Sequence, residues 1–483
     1  MKKIIFVEAN EIPFRVFDRY IEQNPTGFLA KFLSECVQYE TICEDEQQLD
    51  PWISWPTMHR GTTDRNHGIL HLGQPIAPEV EKDYPPIWEW LRLANRSVGV
   101  FGSLHSSAIP TRMQDYAFYL PDYFAADAAA WPPELETFQR FNLVMTRNSA
   151  RNVSMGFGPA SALGGFLGKV APKLSMNTAG QILGFLVEER FKPYKRIRRR
   201  SFQPVIMADL FLHNLERTKP DFATFYTNHV AAAMHRYWAA QFPEDYREQV
   251  EVDWIGKYKG EISFAMAKLE GIIRKFMKFV ERNPEYGIVM ASSLGQAAIR
   301  FGRTDEFLTI VSVEKLMDAL GVDRAHWASA PAMVPCVSIR MQGNHPSRDE
   351  IQSKLENIRI GDHRMVCSPR PDKPLCFDIK DDYIHVYVSI DNYKGDNFAF
   401  HGNQKIPFED IGFGMMAHED NVNCTAQHVR GGTLFIHQPG EARPISPGTA
   451  RTQISTIDFV PSLLGHYGID AGGRFAGKPS IQF

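Results

Sequence analysis

Short uninterrupted apolar runs, each followed by a helical pattern, recur along this chain and restrict its fold more than any other feature. "KIIFV" (3–7), "VGVFGS" (98–103), "DFATFYTNH" (221–229), "YGIVMASS" (286–293) and "GGTLFIHQPG" (431–440) have the length and composition of strands in a buried sheet. Between them lie helical patterns. Phe14, Phe17 and Ile21 form one, and Leu29, Phe32 and Leu33 form another after a break at "NPTG". "PIWEWLRLANR", a long stretch over 257–282 and the closing "TIDFVPSLLGHYGI" supply the rest. This alternation predicts an α/β fold, a doubly wound and mostly parallel sheet with helices on both faces.

Two stretches break the alternation and read as insertions. Residues 140–215 hold the Gly/Ala-rich "SMGFGPASALGGFLGKVAPKLSM" and the basic "KPYKRIRRRS". Residues 330–415 hold "PCVSIRMQG", "SRDEIQSKLENI" and "DDYIHVYVSI", a small α+β pattern. The expected order is core (1–139), helical and basic insertion (140–215), core (216–329), α+β insertion (330–415) and core (416–483).

Composition narrows the function classes. A formal net charge of −3 over 483 residues argues against a nucleic-acid partner, whose domain is usually strongly basic. No apolar run reaches the length of a membrane span. "MKKIIFVEANEIPF" has two lysines before apolar residues, but Glu8 ends the run too early for a signal peptide, so it reads as a first strand. Six cysteines without CxxC spacing point to reduced thiols and a cytoplasmic location. Lys192, Lys195, Arg196, Arg198, Arg199 and Arg200 have two readings. They form a solvated face, or a patch for an anionic glycan, a lipid head group or a peripheral membrane contact through 192–200.

The chemistry concentrates in "LDPWISWPTMHRGTTDRNHGI" (49–69). Asp50-Pro51 is a helix start, with Asp as N-cap and Pro at the first helical position. Ser54-Trp55-Pro56 follows, then Gly61, then His67-Gly68 six residues beyond Gly61. Trp52 and Trp55 read as packing against the sheet, and His67 as a turn residue that bonds the backbone.

The hydroxyl-x-Pro order, the Gly and the His-Gly resemble the alkaline phosphatase superfamily, and within it the type I phosphodiesterase/nucleotide pyrophosphatase branch. "RTQISTIDFVPSLLGHYGIDAGGRFAGKPS" is similar to that family's closing strand–helix and Gly-rich turn. "AQHVRGGTLFI" resembles its His-containing segment before the last core strand. The resemblance implies a hydrolase or transferase acting on a phosphate or sulfate ester, with divalent metal, usually zinc, held by Asp and His.

Residue by residue, the resemblance departs from the family. The first-strand Asp is Asn10 here; Glu8 and Glu11 lie close enough to substitute, although strand alternation sends neighbours to opposite faces. In "FYTNHVAAAMHRYW" the family's His is His235, its Asp position is Ala231, and Asn228 and His229 lie just upstream. Ser293 and Leu294 stand where an Asp-His pair belongs, and Leu294 cannot coordinate a metal. His428 matches the last ligand, with His418, Glu419 and Asp420 nearby.

The implied site is therefore Asn10, His235 and His428 around one divalent ion rather than two, zinc by preference. Asp50, Ser54 and Thr57 are the candidate nucleophiles. The family interval of about ten residues before Gly61 falls on Pro51 and not on Ser54, which leaves Asp50 as the nearest reactive group. The substrate is expected to be an anionic small molecule or a glycan- or lipid-linked phosphoester. The alternative is a non-catalytic protein of the same fold that binds such an anionic ligand.

Overall fold

The computed structural model describes residues 2–107, 112–149, 168–247, 250–299, 306–332, 334–343, 345–368, 373–417, 424–442, 444–470 and 472–483. Most of the Gly/Ala-rich stretch, and the trio His418, Glu419 and Asp420, lie outside these residues. The chain forms two compact units. The first holds Met1–Ile69, Pro75–Arg300 and Thr425–Phe483; the second holds Leu70–Gln74 and Phe301–Cys424.

The first unit is built on an eight-stranded sheet. Its strands are β1 (Lys3–Ala9), β2 (Cys36–Ile42), β3 (Val98–Phe101), β4 (Phe118–Leu120), β5 (Phe222–Thr227), β6 (Tyr286–Ser292) and two more, Thr433–His437 and Thr452–Ser455. Across the sheet the order is Thr452–Ser455, β2, Thr433–His437, β6, β1, β5, β3, β4. Thr433–His437 runs antiparallel to both neighbours, β2 and β6, while every other pairing is parallel. β1 is central and is wholly buried from Ile4 onward. The chain leaves β1 for β2 on one side and then crosses to β3 on the other, which makes the carboxyl end of β1 a topological switch point.

Helices cover both faces, as the alternation predicts. Ile4 and Phe6 pack with Trp55, Met58, Ile87, Leu91, Phe459 and Leu463 on one face. On the opposite face Phe225 meets Phe211 and Phe276, which belong to the helices Arg199–Thr218 and Glu261–Arg282. Residues 199–215, which the sequence reading places in an insertion, thus belong to a helix packed directly on the core sheet. Phe211 and Phe202 give it an apolar face that the preceding basic run hides from a purely local reading.

The second unit carries its own core, in which Leu308, Trp327, Ile339, Phe377, Val386 and Phe413 are buried. It extends beyond 330–415 because the strand Glu306–Ile310 pairs with Ile390–Asp391 and Phe413–Ala417 rather than with the main sheet. In its five-stranded sheet Ser338, His385 and Asp378 are direct cross-strand partners. His385 Nδ1 lies 2.7 Å from Ser338 Oγ, its ring stacks on that of His71 at 3.7 Å, and His71 Nε2 lies 3.1 Å from Asp378.

Burial pulls the His385 pKa down to about 3, helped by His71 and opposed by Asp378. Burial raises Asp378, but its hydrogen bond to His71 and the two imidazole charges hold it below the ordinary value. Between pH 6.5 and 3 the unfolded chain binds a proton at His385 that the native chain refuses, so acid takes stability away. The depressed Asp378 acts in the same direction at lower pH. We expect urea unfolding to show a loss on the order of 2 kcal/mol from His385 between pH 7 and 5. A His385→Asn variant should show a correspondingly flatter dependence, and an unchanged slope would remove His385 as the cause.

Candidate active site

The site lies at the carboxyl ends of β1 and β5, where doubly wound sheets bind ligands. It begins with a break in the strand. Asn10 N–H still donates to Thr227 O at 3.0 Å, but Glu11 has φ +62°. A non-glycine residue in the left-handed region is uncommon, and here it takes the chain out of the pleat. Strand alternation therefore no longer dictates where Glu11 points, and its carboxylate is buried among two imidazoles.

Glu11 Oε2 lies 2.9 Å from His235 Nε2 and 3.2 Å from His428 Nε2, and Gln296 Nε2 also donates to it. Oε1 accepts from Asn10 Nδ2 at 2.6 Å. His235 stands on the helix His229–Gln241, which starts straight after β5. His428 stands on the short strand Ala426–Val429, opposite Gln296 of the strand Gly295–Ala298. The far nitrogen of each ring faces backbone carbonyl oxygen, His235 Nδ1 to Ala426 at 3.2 Å and His428 Nδ1 to Leu49 at 2.7 Å. These bonds fix the Nδ1–H tautomers and aim both Nε2 atoms at one carboxylate.

Neutral rings held this way turn lone pairs toward an anion, which is unfavourable unless a proton or a metal cation lies between. Burial raises the Glu11 pKa, but His428 and His235 outweigh it and hold the carboxyl well below its ordinary value. Burial lowers His428, but Glu11 and Asp50 push it well above 6.5. The His428 imidazole thus favours its charged form beside Glu11 and Asp50. Among the described residues Gln296 Oε1 and Asp50 Oδ2 are buried without a hydrogen-bond partner, and His428 Nε2 meets Glu11 Oε2 at 3.2 Å without good hydrogen-bond geometry. Two imidazole nitrogens and one carboxylate, within 4.8 Å of one another and beside unpartnered polar atoms, fit a divalent cation such as zinc. His235 and His428 remain partly exposed, so the group is open to solvent on one side.

Asp50 completes the cluster. It is the N-cap residue of the helix Pro51–Arg60, but its side chain caps no backbone N–H; Oδ1 lies 3.3 Å from His428 Nδ1 instead. Burial raises its pKa above the ordinary carboxylate value against the opposing pull of His428. The helix ends at Gly61, at φ +63°, where an added Cβ would lie 2.9 Å from Phe475 Cδ1. Its internal Pro56 has no N–H to offer Trp52 O, and His105 Nε2 donates to that carbonyl at 2.7 Å.

The other sequence candidates lie elsewhere. Asn10 is not placed as a ligand: its Oδ1 accepts the Trp55 indole N–H at 2.7 Å, and its Nδ2 donates to Glu11 and Asn228. The turn after Ala9 instead presents the Glu11 carboxylate to the two histidines. Ser54 and Thr57, the other candidate nucleophiles, lie in the interior. Both are fully buried; the Ser54 hydroxyl lies 2.7 Å from that of Ser293, and Thr57 donates to Asp45 and lies 2.9 Å from His67 Nε2. One helical turn carries them from Asp50 into the protein interior.

His229 turns away from the site, with Nε2 bonded to Ala265 O, and burial lowers its pKa to about 4. Leu294 is buried where the resemblance expects a ligand. His67 accepts from Ile69 N–H, the turn role read for it, and Trp55 is packing. The reading of Glu11 had its residue type as a signal in the sequence, but the missing information was the backbone turn. Trp55→Phe removes the indole donor to the buried Asn10 amide oxygen, and we expect it to destabilise the chain by about 1–3 kcal/mol in urea unfolding.

No protein-family model matches this sequence, and no curated protein sequence does. Solved structures similar to it include murine ectonucleotide pyrophosphatase/phosphodiesterase 5 (12% identity, TM-score 0.41, covering 97% of this chain and 96% of that one). The human counterpart is similar at 10% identity and a TM-score of 0.39, with 97% and 96% covered. Wild-type alkaline phosphatase PafA is similar at 12% identity and a TM-score of 0.44, with 99% of this chain and 98% of that chain covered.

Proposed function

We propose that the chain is a phosphoester or sulfoester hydrolase with a single divalent metal held by Glu11, His235 and His428. The observation that carries this reading is the convergence of His235 Nε2 and His428 Nε2 on Glu11 Oε2, at 2.9 and 3.2 Å. A divalent cation there supplies Lewis acidity toward an ester oxygen. The protein's own groups provide the rest. The N-terminal turn of the helix Pro51–Arg60 favours an anionic ester group. Asp50, with Oδ2 unpartnered, takes a proton from the attacking water as the new oxygen–phosphorus bond forms; the ester bond breaks and the leaving oxygen departs with its electron pair. The partly exposed imidazoles leave the ester a route in.

One observation favours the non-catalytic alternative. Leu294 is buried and Ser293 pairs with Ser54, so the position of a second metal pair is closed. Metal content by elemental mass spectrometry, followed by a panel of phosphate mono- and diesters and sulfate esters, separates the two. About one ion per chain with turnover supports the hydrolase; one ion without turnover on any ester supports the binding protein; no ion after incubation with zinc or manganese overturns both the metal and the hydrolase.

A further inference from the structure

The helix Met176–Phe191 packs on its neighbours through one face only. Phe185 stacks on Phe202 at 4.7 Å, and Thr178 accepts from Lys275 Nζ at 2.7 Å. Among the described residues the opposite face has no partner. Met176, Leu183, Val187 and Phe191 are 89, 65, 61 and 80% exposed. At about 100° per residue these four, with Gly180 and Gly184 between them, fall within one stripe roughly 100° wide. A Cβ added at either glycine meets nothing within 4 Å. Scattered surface apolar residues are ordinary, but four large ones aligned on one helix are a contact face.

We propose that this stripe docks the protein on an anionic phospholipid surface, with the helix lying in the interface. Charge selects this occupant. Between 168 and 192 the only acids are Glu188 and Glu189, and both are neutralised from the basic run: Lys195 and Arg198 pair with Glu188, while Arg199 and Arg196 pair with Glu189. Arg198 also pairs with Glu261. The basic run therefore is not itself the patch; it removes negative charge from beneath the stripe. Lys169 and Arg190, with Lys192 at the start of the basic run, are exposed near the helix ends and place cations at its border. Apolar residues bordered by cations match lipid acyl chains bordered by anionic head groups. Two copies meeting through this face would bring like charge together at both ends. The helix has 16 residues, and no helix among the described residues is long and apolar enough to cross a membrane, so the contact is interfacial.

The test is flotation of the full chain with phosphatidylcholine vesicles, with and without phosphatidylglycerol, for the wild type and for Leu183→Gln/Val187→Gln. Both positions are exposed, so folding is preserved, which thermal unfolding checks. Wild-type flotation on the anionic vesicles that falls about tenfold or more in the double variant supports the proposal. Absence of wild-type flotation, or equal flotation of the two proteins, overturns it. A dimer in light scattering that the double substitution splits also overturns it, because a second copy then covers the stripe.

Discussion

Glu11→Gln is expected to abolish stoichiometric metal binding. The change keeps the size of the side chain, the two imidazoles and the bonds that aim them, and removes only the anionic oxygen on which both converge. A residue that merely supports a ligand typically costs about 10–100-fold in metal affinity when replaced. Glu11→Gln should exceed that range, and Asn10→Ala, which removes a donor to Glu11 rather than a ligand, should fall within it. Competition with a chromophoric chelator measures both. Losing one partner of a buried charged cluster can itself perturb folding, so the metal-free proteins are to be compared in denaturant first. A Glu11→Gln protein that is folded and still binds zinc within threefold of wild type would remove Glu11 from the site. Equal losses in the two variants would make the carboxylate one support among several.

The second large effect is on turnover. Asp50→Asn preserves the shape of the helix start and lets an amide oxygen lie near His428, but it removes the proton acceptor. With metal content unchanged, kcat on any ester found to be a substrate should fall by about 10²–10⁴-fold, the usual contribution of a general base. Ser54→Ala and Thr57→Ala provide the contrast. Their hydroxyls are held by Ser293, Asp45 and His67 in the interior, so these changes should lower stability rather than kcat once the folded fraction is accounted for. A large fall in kcat for a folded Ser54→Ala enzyme, with Asp50→Asn near wild type, would reverse the assignment.

These contrasts mark where reading the chain succeeds and where it stops. Apolar periodicity is local, and it identifies β1, β3, β5, β6 and the strand Thr433–His437, with helices to cover both faces. The histidines His235 and His428 are visible as candidates only through the family resemblance that their segments carry. Asp50-Pro51 announces a helix start, and the helix begins there with Pro51 at its first position, although the Asp50 side chain turns to His428 instead of capping. The strands, the helices and the helix start follow from interactions between residues close in sequence.

The partners of the polar atoms do not follow in that way. His428 is aimed by the carbonyl of Leu49, 379 residues away, and Asn10 is occupied by Trp55, 45 residues away. Arg198, read as part of a surface charge run, is fixed by Glu261 of a distant helix. Each pairing depends on which elements the sheet order brings side by side, and a single sequence carries no record of that order.

The sequence by itself thus determined the α/β class, the core strands and the helix start at Asp50, because hydrophobic spacing and the fixed φ of a proline at the first helical position act over a few residues. Only the tertiary structure decided that Glu11 rather than Asn10 faces the histidines, that Ser54 and Thr57 are interior, and that a helix beside the basic run carries the exposed apolar face. A positive φ after β1, burial within a packed core and ion pairs between distant helices set those outcomes, and each exists only once the chain has folded.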